Sequence, residues 1–104
     1  MVTMINQMTV HGDEARFLAA LDAICAHMRA QPGFLDLRLH RATARPERWA
    51  MTANWSDADA HRAAATAPGV AALLDRLRAE ATTAPEVYET VEVRHGDRVP
   101  PRPV

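Results

Sequence analysis

The segment spanning residues 31–56 constrains the fold more than any other part of the chain. It opens with Gln31-Pro32-Gly33, where proline and glycine end the amphipathic helix that precedes them. Two stretches of alternating apolar and polar residues follow and predict two strands. The second stretch ends at Asn54-Trp55-Ser56, after which a new helix is predicted. Few folds place a helix, two strands and another helix in this order with these signals.

The spacing of apolar residues predicts further elements on both sides of this segment. The predicted order is strand, helix, strand, strand, helix, helix and strand, at residues 3–10, 14–30, 34–41, 49–55, 57–65, 68–81 and 87–93. Asp13 is the expected N-cap of the first helix, and Ser56 with Asp59 forms a capping box for the second. The last strand is expected to begin only after Pro85.

This order matches a ferredoxin-like α+β unit whose second helix is broken in two. Helices would cover one face of an antiparallel sheet and leave the other face in need of a partner. Strict alternation in the strand at 34–41 predicts one side with Leu35, Leu37 and Leu39 and an opposite side with Phe34, Asp36, Arg38 and His40. Two such sheets packed face to face would give a homodimeric α+β barrel.

Composition argues against several classes of protein. The formal net charge is −1 and the arginines alternate with acids, as in residues 75–80, so a nucleic-acid partner is not expected. No apolar run approaches the length of a membrane span and no signal peptide is recognised, which predicts a cytoplasmic protein. The single Cys25 lies among the apolar positions of the first helix and is expected to act as a small hydrophobic residue.

Sequence signatures of metals and cofactors are not found. The five histidines are scattered singly, without the helical i, i+4 pairing typical of a metal site. The four glycines lie far apart, so no phosphate-binding loop for a nicotinamide, flavin or nucleotide is recognised. We therefore expect neither a metal nor an organic cofactor.

Three motifs resemble the pattern of the antibiotic biosynthesis monooxygenase family: Pro32-Gly33-Phe34, Leu39-His40-Arg41 and Trp55-Ser56. The similarity spans roughly residues 3–93. Because members of that family are small dimeric α+β barrels, the resemblance implies a homodimer with a barrel domain at 1–93. The polar, proline-rich composition of residues 94–104 predicts a tail. It also implies a cofactor-free monooxygenase that uses O₂ to oxidise an aromatic polyphenol or polyketide intermediate, of the anthrone or hydroquinone type, to a quinone.

Such a reaction needs few protein groups, because the deprotonated substrate itself supplies electrons to O₂. A base, a dry pocket and polar groups that hold anions are sufficient. Trp55 is the first candidate, since its indole can stack on a flat substrate and its N–H can bind a developing peroxide; the alternative is a core tryptophan. His40 is the candidate base, because histidine is the side chain whose reference pKa, about 6.5, lies nearest neutral pH; the alternative is a surface histidine.

Asn6 is the third catalytic candidate, because part of the family places a pocket asparagine on the first strand. The alternative is that its amide caps a backbone group within the sheet. His61 lies six residues after Trp55, where some polyketide oxygenases of the family carry a tyrosine. We expect it to bind substrate, with an exposed position on an alanine-rich helix as the alternative.

The remaining candidates would shape the pocket rather than react. Met4, Met8 and Met51 form an adaptable apolar wall for a flat ligand, or else simply part of the core. Arg38 is expected to bind an acidic substrate, or else to form a solvated ion pair with Asp36.

This chain also departs from the family pattern. Met51 occupies the position four residues before Trp55 where the polyketide oxygenases carry asparagine. Leu73 and Leu74 lie where the haem-degrading branch has its histidine ligand, so haem degradation is not expected. Two alternatives to oxygenation therefore stay open: a non-oxidative polyketide cyclase or isomerase, and a dimer that binds a small aromatic ligand without turnover.

Overall fold

The computed structural model describes residues 1–97, which form four strands and three helices in the predicted order. The elements are β1 (Val2–Val10), α1 (Glu14–Arg29), β2 (Phe34–Arg41), β3 (Arg48–Trp55), α2 (Ala58–Ala65), α3 (Val70–Arg78) and β4 (Ala81–Glu89). The ferredoxin-like α+β fold predicted from the sequence is thereby confirmed, whereas its pairing into a dimer stays a prediction.

The sheet has the strand order β2-β3-β1-β4, and all neighbouring strands are antiparallel. One face packs against the helices and forms the core, whose largest fully buried side chains are Trp55, Phe17, Met8, Leu21, Leu77 and Val70. Strand alternation sends the intervening residues to the opposite face, which is called the outer face below. Ile5 of β1 and Thr52 of β3 pair near its centre.

Two helices begin at aspartate caps. The Asp13 carboxylate accepts a hydrogen bond from the Arg16 backbone N–H at 2.8 Å, as predicted. The cap of α2 is Asp57, which accepts from the Ala60 N–H at 2.8 Å. The capping box predicted at Ser56 and Asp59 is therefore wrong by one residue, and the helix begins one residue later than expected.

Gly33 fixes the corner between α1, β2 and the start of α2. Its φ is +84°, a left-handed conformation that favours glycine, and its carbonyl accepts a hydrogen bond from the Ser56 N–H at 2.8 Å. A β-carbon at this position would lie 2.6 Å from the Ala60 Cβ and 2.7 Å from the Ser56 Oγ. This close contact holds the end of β3, and with it Trp55, against the beginning of β2.

An irregularity in β2 corrects the predicted side-chain alternation. Phe34 pairs with Trp55, whereas the next paired residue is Asp36, opposite Asn54. The register shift between them is a β-bulge, which leaves Leu35 unpaired and turns Phe34 to the helix side. Phe34 accordingly packs against the core instead of sharing a face with Asp36, as strict alternation had predicted.

The last strand differs most from the sequence prediction. It begins at Ala81 and ends at Glu89, whereas residues 87–93 were expected. Pro85 lies within the strand, opposite Asn6, because β4 is an edge strand on which a missing N–H is tolerated. The preceding helix correspondingly ends at Arg78 and not near residue 81.

Beyond β4, Val91 and Val93 are largely exposed. The predicted division into a domain at 1–93 and a tail at 94–104 stays a prediction, and residues 98–104 of that tail lie outside the described residues. Among the helices of residues 1–97, none combines the length and the apolar character that crossing a membrane requires.

Candidate functional site

A cavity of about 160 Å³ lies between the helix-facing side of the sheet and the three helices. Its wall is mainly apolar, and the polar side chains in it are Asn6, His61, Arg78 and Thr83. Five of the eight residues proposed from the sequence line this cavity: Met4, Asn6, Met51, Trp55 and His61. The other three, Met8, Arg38 and His40, do not.

Trp55 is the largest aromatic side chain in the wall and is 1 % exposed. The Phe34 ring meets it edge to face at a centroid distance of 5.3 Å, and the His61 ring does so at 5.6 Å. Its indole Nε1–H is buried and has no hydrogen-bond acceptor among residues 1–97. A buried donor without an acceptor is costly, and the Trp49 Nε1–H, whose residue does not line this cavity, is in the same state.

His61 projects into the same cavity from α2. Burial lowers the pKa of its imidazole below the ordinary value of 6.5, because the protein interior disfavours the charged form. The ring is therefore neutral at pH 7 and has a lone pair that can accept a proton. His61 and Trp55 together place a base and a hydrogen-bond donor side by side.

Asn6 is 6 % exposed and faces both the sheet and the cavity. Its Oδ1 accepts a hydrogen bond from the Ala84 backbone N–H at 3.1 Å, immediately before Pro85 in the edge strand. The side chain thus ties β4 to β1 through its oxygen and also forms part of the cavity wall.

Sulfur-containing side chains form much of the apolar wall. Met4 and Met51 line the cavity as proposed, and Met28 and Cys25 of α1 join them. The Cys25 thiol lies 3.9 Å from the Met51 sulfur, and burial is the main cause that raises its pKa. This thiol is therefore protonated at neutral pH and packs as an apolar group. Met8, in contrast, is buried near Trp49, outside the cavity.

His40 and Arg38 lie on the outer face of the sheet. His40 is opposite Ala50 and Arg38 is opposite Thr52, whereas Leu39 between them pairs with Met51, which lines the cavity. Both side chains are exposed, and neither is part of the cavity wall. The roles proposed from the sequence would require His40 to lie beside the Trp55 indole. This expectation is wrong, because strand alternation places the two side chains on opposite faces of the sheet.

The sequence prediction missed several wall residues at one side of the cavity. Thr83 and Pro85 were missed because β4 was expected to start later. Arg78 and Leu74 were missed although both line the cavity from α3. Their i, i+4 spacing, which places two residues on one helix face, was the available signal. Across residues 1–97, three or more His, Cys, Asp or Glu side chains do not come together as a group able to hold a metal ion.

Comparison with known proteins relates this arrangement to one family. Residues 1–76 match the family model described as antibiotic biosynthesis monooxygenase. The chain is 35 % identical over 82 residues to the deoxynogalonate monooxygenase of Streptomyces nogalater, covering 79 % of this chain and 70 % of that protein.

Solved structures show the same fold. The crystal structure of SnoaB, a cofactor-independent oxygenase from Streptomyces nogalater, superimposes with a TM-score of 0.83 at 32 % identity, covering 88 % of this chain and 94 % of SnoaB. A conserved protein from Methanosarcina mazei has a TM-score of 0.68 at 13 % identity, over 85 % of this chain and 92 % of that one. At that identity the likeness extends to the fold alone.

Proposed function

This chain belongs to the antibiotic biosynthesis monooxygenase family and is a cofactor-free monooxygenase, and from this premise we propose that it oxidises an anthrone- or hydroquinone-type aromatic polyketide intermediate to a quinone. The observation that carries the substrate class is the apolar cavity in which a neutral histidine contacts a tryptophan with an unpaired N–H. The similarity to a deoxynogalonate monooxygenase supports an aromatic polyketide as the substrate.

The cavity size suggests how such a substrate would bind. A dry cavity of about 150 Å³ accommodates benzene, so the volume of about 160 Å³ found here suits one aromatic ring. A fused polycyclic substrate would place its reacting ring inside and extend its other rings through the opening. The flexible methionines of the wall can adjust to the ring that enters.

In the proposed reaction, the His61 imidazole removes a proton from the activated carbon of the substrate. The resulting carbanion passes one electron to O₂, and the substrate radical recombines with superoxide to form a carbon–oxygen bond. The peroxide anion takes back the proton held by His61 and becomes a hydroperoxide, which loses water, so that one oxygen atom remains as the new quinone carbonyl and the other leaves as water. The cavity keeps bulk water away from the reactive intermediates.

Two donors would stabilise the negative charge that develops along this path. The Trp55 indole N–H is the donor for the peroxide, since it adjoins His61 and has no acceptor of its own. The Asn6 amide N–H groups are the donors for the substrate oxygen, because the side chain is held in place by its bond to Ala84. These roles require no side chain from β2.

We also propose that two copies associate through the outer faces of their sheets. The helices leave this face uncovered, and Ile5 and Thr52 at its centre are only partly exposed even in one protomer. On this proposal His40 and Arg38 are interface residues.

The test is oxygen uptake together with quinone absorbance, using chelator-treated protein and an anthrone. We expect His61→Gln to lower kcat/KM on the order of a hundredfold, the usual size of a general-base contribution. Trp55→Phe keeps an aromatic ring and removes the N–H, and should cost about tenfold. The exposed His11, in the turn after β1, provides the control His11→Gln, which should match the wild type.

The variant His40→Gln tests whether His40 or His61 is the general base. A loss in His40→Gln with full activity in His61→Gln would contradict the assignment of the base. If Trp55→Phe and His61→Gln formed quinone at the wild-type rate, this result would contradict catalysis in this cavity. Consumption of the anthrone without oxygen uptake would favour the cyclase or isomerase, and binding without turnover would favour the ligand-binding dimer.

A further inference from the structure

The helix that carries His61 is short and depends on its contacts with the rest of the fold. Helix α2 has eight residues, and Ala64 is the one buried side chain among them. A helix of this length has little stability by itself in water, because too few hydrogen bonds form to offset the entropy of ordering its first turn. The position of the His61 ring in the cavity therefore depends on the points at which α2 is attached to its neighbours.

Two attachments lie on either side of His61 along α2. Before it, Ala60 packs against Gly33 so closely that no β-carbon fits between them. After it, the Ala64 carbonyl oxygen lies 3.1 Å from the Nε2 atom of His27, a half-buried residue in the last turn of α1. The first and last turns of α2 are thus held by two different parts of the chain.

The chemistry of the second attachment makes His27 the donor. A carbonyl oxygen only accepts, so the Nε2 atom of His27 carries a proton and donates it to Ala64. The neutral ring with its proton on Nε2 and the charged ring both meet this requirement. The Ala64 carbonyl also accepts from the Ala67 N–H, at a longer distance of 3.4 Å and from the same end of α2. The bond from His27 is the one that connects this carbonyl to another element.

The backbone around His27 is fixed, so the bond can hold α2 in place. Ile24, one turn earlier on α1, is 3 % exposed and belongs to the core. The His27 carbonyl accepts a hydrogen bond from the Gln31 side-chain amide at 3.1 Å and another from the Ala30 N–H at 3.2 Å. The end of α1 is therefore closed by hydrogen bonds and anchored by a buried side chain.

We propose that His27 is a positioning residue for His61: its hydrogen bond to Ala64 holds the last turn of α2, so that the His61 imidazole stays in the cavity against Trp55. This inference rests on the proposed function, in which His61 is the base. Ala64 follows His61 by three residues, less than one helical turn, so a displaced Ala64 carries the imidazole with it. His27 does not line the cavity and acts through α2, without touching the substrate.

The experiment compares His27→Leu with His27→Gln. Both variants lack an ionisable group at residue 27, and leucine and glutamine have similar helix propensities. Only glutamine offers an amide N–H that can donate to the Ala64 carbonyl. His27→Ala is a second variant without a donor, so the comparison does not depend on how leucine packs. The control Thr66→Val removes another bond at the end of α2, from the Thr66 hydroxyl to the Arg62 carbonyl at 2.8 Å, and leaves the bond to α1 intact.

The first measurement is the pKa of the His61 imidazole by NMR titration, with its signals assigned by their absence from His61→Gln. The other titratable or charged groups of the cavity wall, Cys25 on α1 and Arg78 on α3, are the same in every variant. We expect His27→Leu to raise the pKa of His61 from its lowered value toward 6.5, because a loosened α2 exposes the ring to water. His27→Gln and Thr66→Val should keep the wild-type pKa.

The second measurement is oxygen uptake with an anthrone. We expect His27→Leu to lower kcat about fivefold to tenfold, the usual effect of losing one hydrogen bond, and to change KM by less than about twofold. His27→Gln should recover most of kcat. The acidic midpoint of kcat/KM in His27→Leu should rise together with the pKa of His61. A loss of folded protein alone would lower the apparent kcat without moving this midpoint.

The inference would be overturned if the pKa of His61 in His27→Leu and His27→Ala equalled the wild-type value. An equal rise in His27→Gln or in Thr66→Val would overturn it as well, as would a wild-type His61 that titrates like an exposed histidine. The proposed function fails separately: full oxygen uptake in His61→Gln, together with a raised pKa of His61 in His27→Leu, would refute the base and leave the positioning in force.

Discussion

The chemistry available to His61 depends on what surrounds its ring. Burial against Trp55 and apolar neighbours lowers its pKa, so the free base persists to a lower pH than it would in water. We expect kcat/KM to fall in acid with a midpoint below 6.5, the ordinary value, as His61 takes up a proton and ceases to be a base. The measurement is a pH profile of oxygen uptake.

His61→Gln provides the comparison for this profile. The residual activity of His61→Gln should not fall at acidic pH through protonation of residue 61. Any pH dependence that comes from ionisation of the substrate should remain in both the wild type and the variant. A midpoint above 6.5 in the wild type, or an acidic limb that persists in His61→Gln, would contradict the role of this histidine.

Single residues also show where sequence reasoning succeeds and where it stops. Trp55, Asn6 and His61 were proposed from motifs and from positions implied by the resemblance, and all three line the cavity. His40 belongs to a motif as well, but a motif does not reveal which face of the sheet faces the helices. That choice depends on which face of the sheet the helices pack against, and this packing brings residues of α1 and α3 together with strand residues far from them in sequence.

At the scale of elements, the corner at Gly33 makes a distinct prediction. Gly33→Ala would force a β-carbon against Ala60 and Ser56 in addition to straining a left-handed backbone. Gly69→Ala is the matched control, since its φ is +86° and a β-carbon there meets nothing within 4 Å. We expect the control to lose about 1–2 kcal/mol from backbone strain and Gly33→Ala to lose a further 1–3 kcal/mol, roughly, from overpacking.

Urea unfolding measures both losses in the free energy of unfolding, since a lower midpoint at an unchanged m-value reports lower stability. Equal losses for Gly33→Ala and Gly69→Ala would mean that α2 shifts to accommodate the new methyl group. In that case the corner does not hold Trp55 rigidly.

The boundaries of β4 were the least predictable part of the fold. Proline disfavours strand interiors, so the sequence placed the strand after Pro85. The rule has an exception for edge strands, but which strand lies at the edge is decided by the order β2-β3-β1-β4, a property of the whole sheet. Helix α1 and strand β2 were predicted almost to the residue because their signals are local: a cap, a periodicity and the Pro-Gly stop.

At the scale of the whole molecule, the helices leave the outer face of the sheet uncovered, and in the segment after β4 the side chain of Val91 is 91 % exposed. Both features agree with the proposed homodimer.

Ile5→Arg tests this association directly. An arginine at the centre of the outer face would bring two positive charges together across a symmetric interface, which costs free energy. We expect the wild type to sediment as a dimer, Ile5→Val to do the same, and Ile5→Arg to sediment as a monomer with native helix content. A wild type that is monomeric at micromolar concentration would contradict the proposal.

Met4, Met28 and Met51 line the cavity with thioether sulfurs, and we expect their oxidation to inactivate the enzyme during catalysis. A hydroperoxide that fails to lose water in time can pass its outer oxygen to a methionine, leaving an alcohol and a sulfoxide. Each such event replaces an apolar wall with a polar one and spoils the fit for the next substrate. We therefore expect inactivation to follow the number of catalytic cycles and not elapsed time, with intact-mass spectra showing added oxygen only after turnover and methionine sulfoxide reductases restoring activity. Inactivation that proceeds equally without substrate would have another origin.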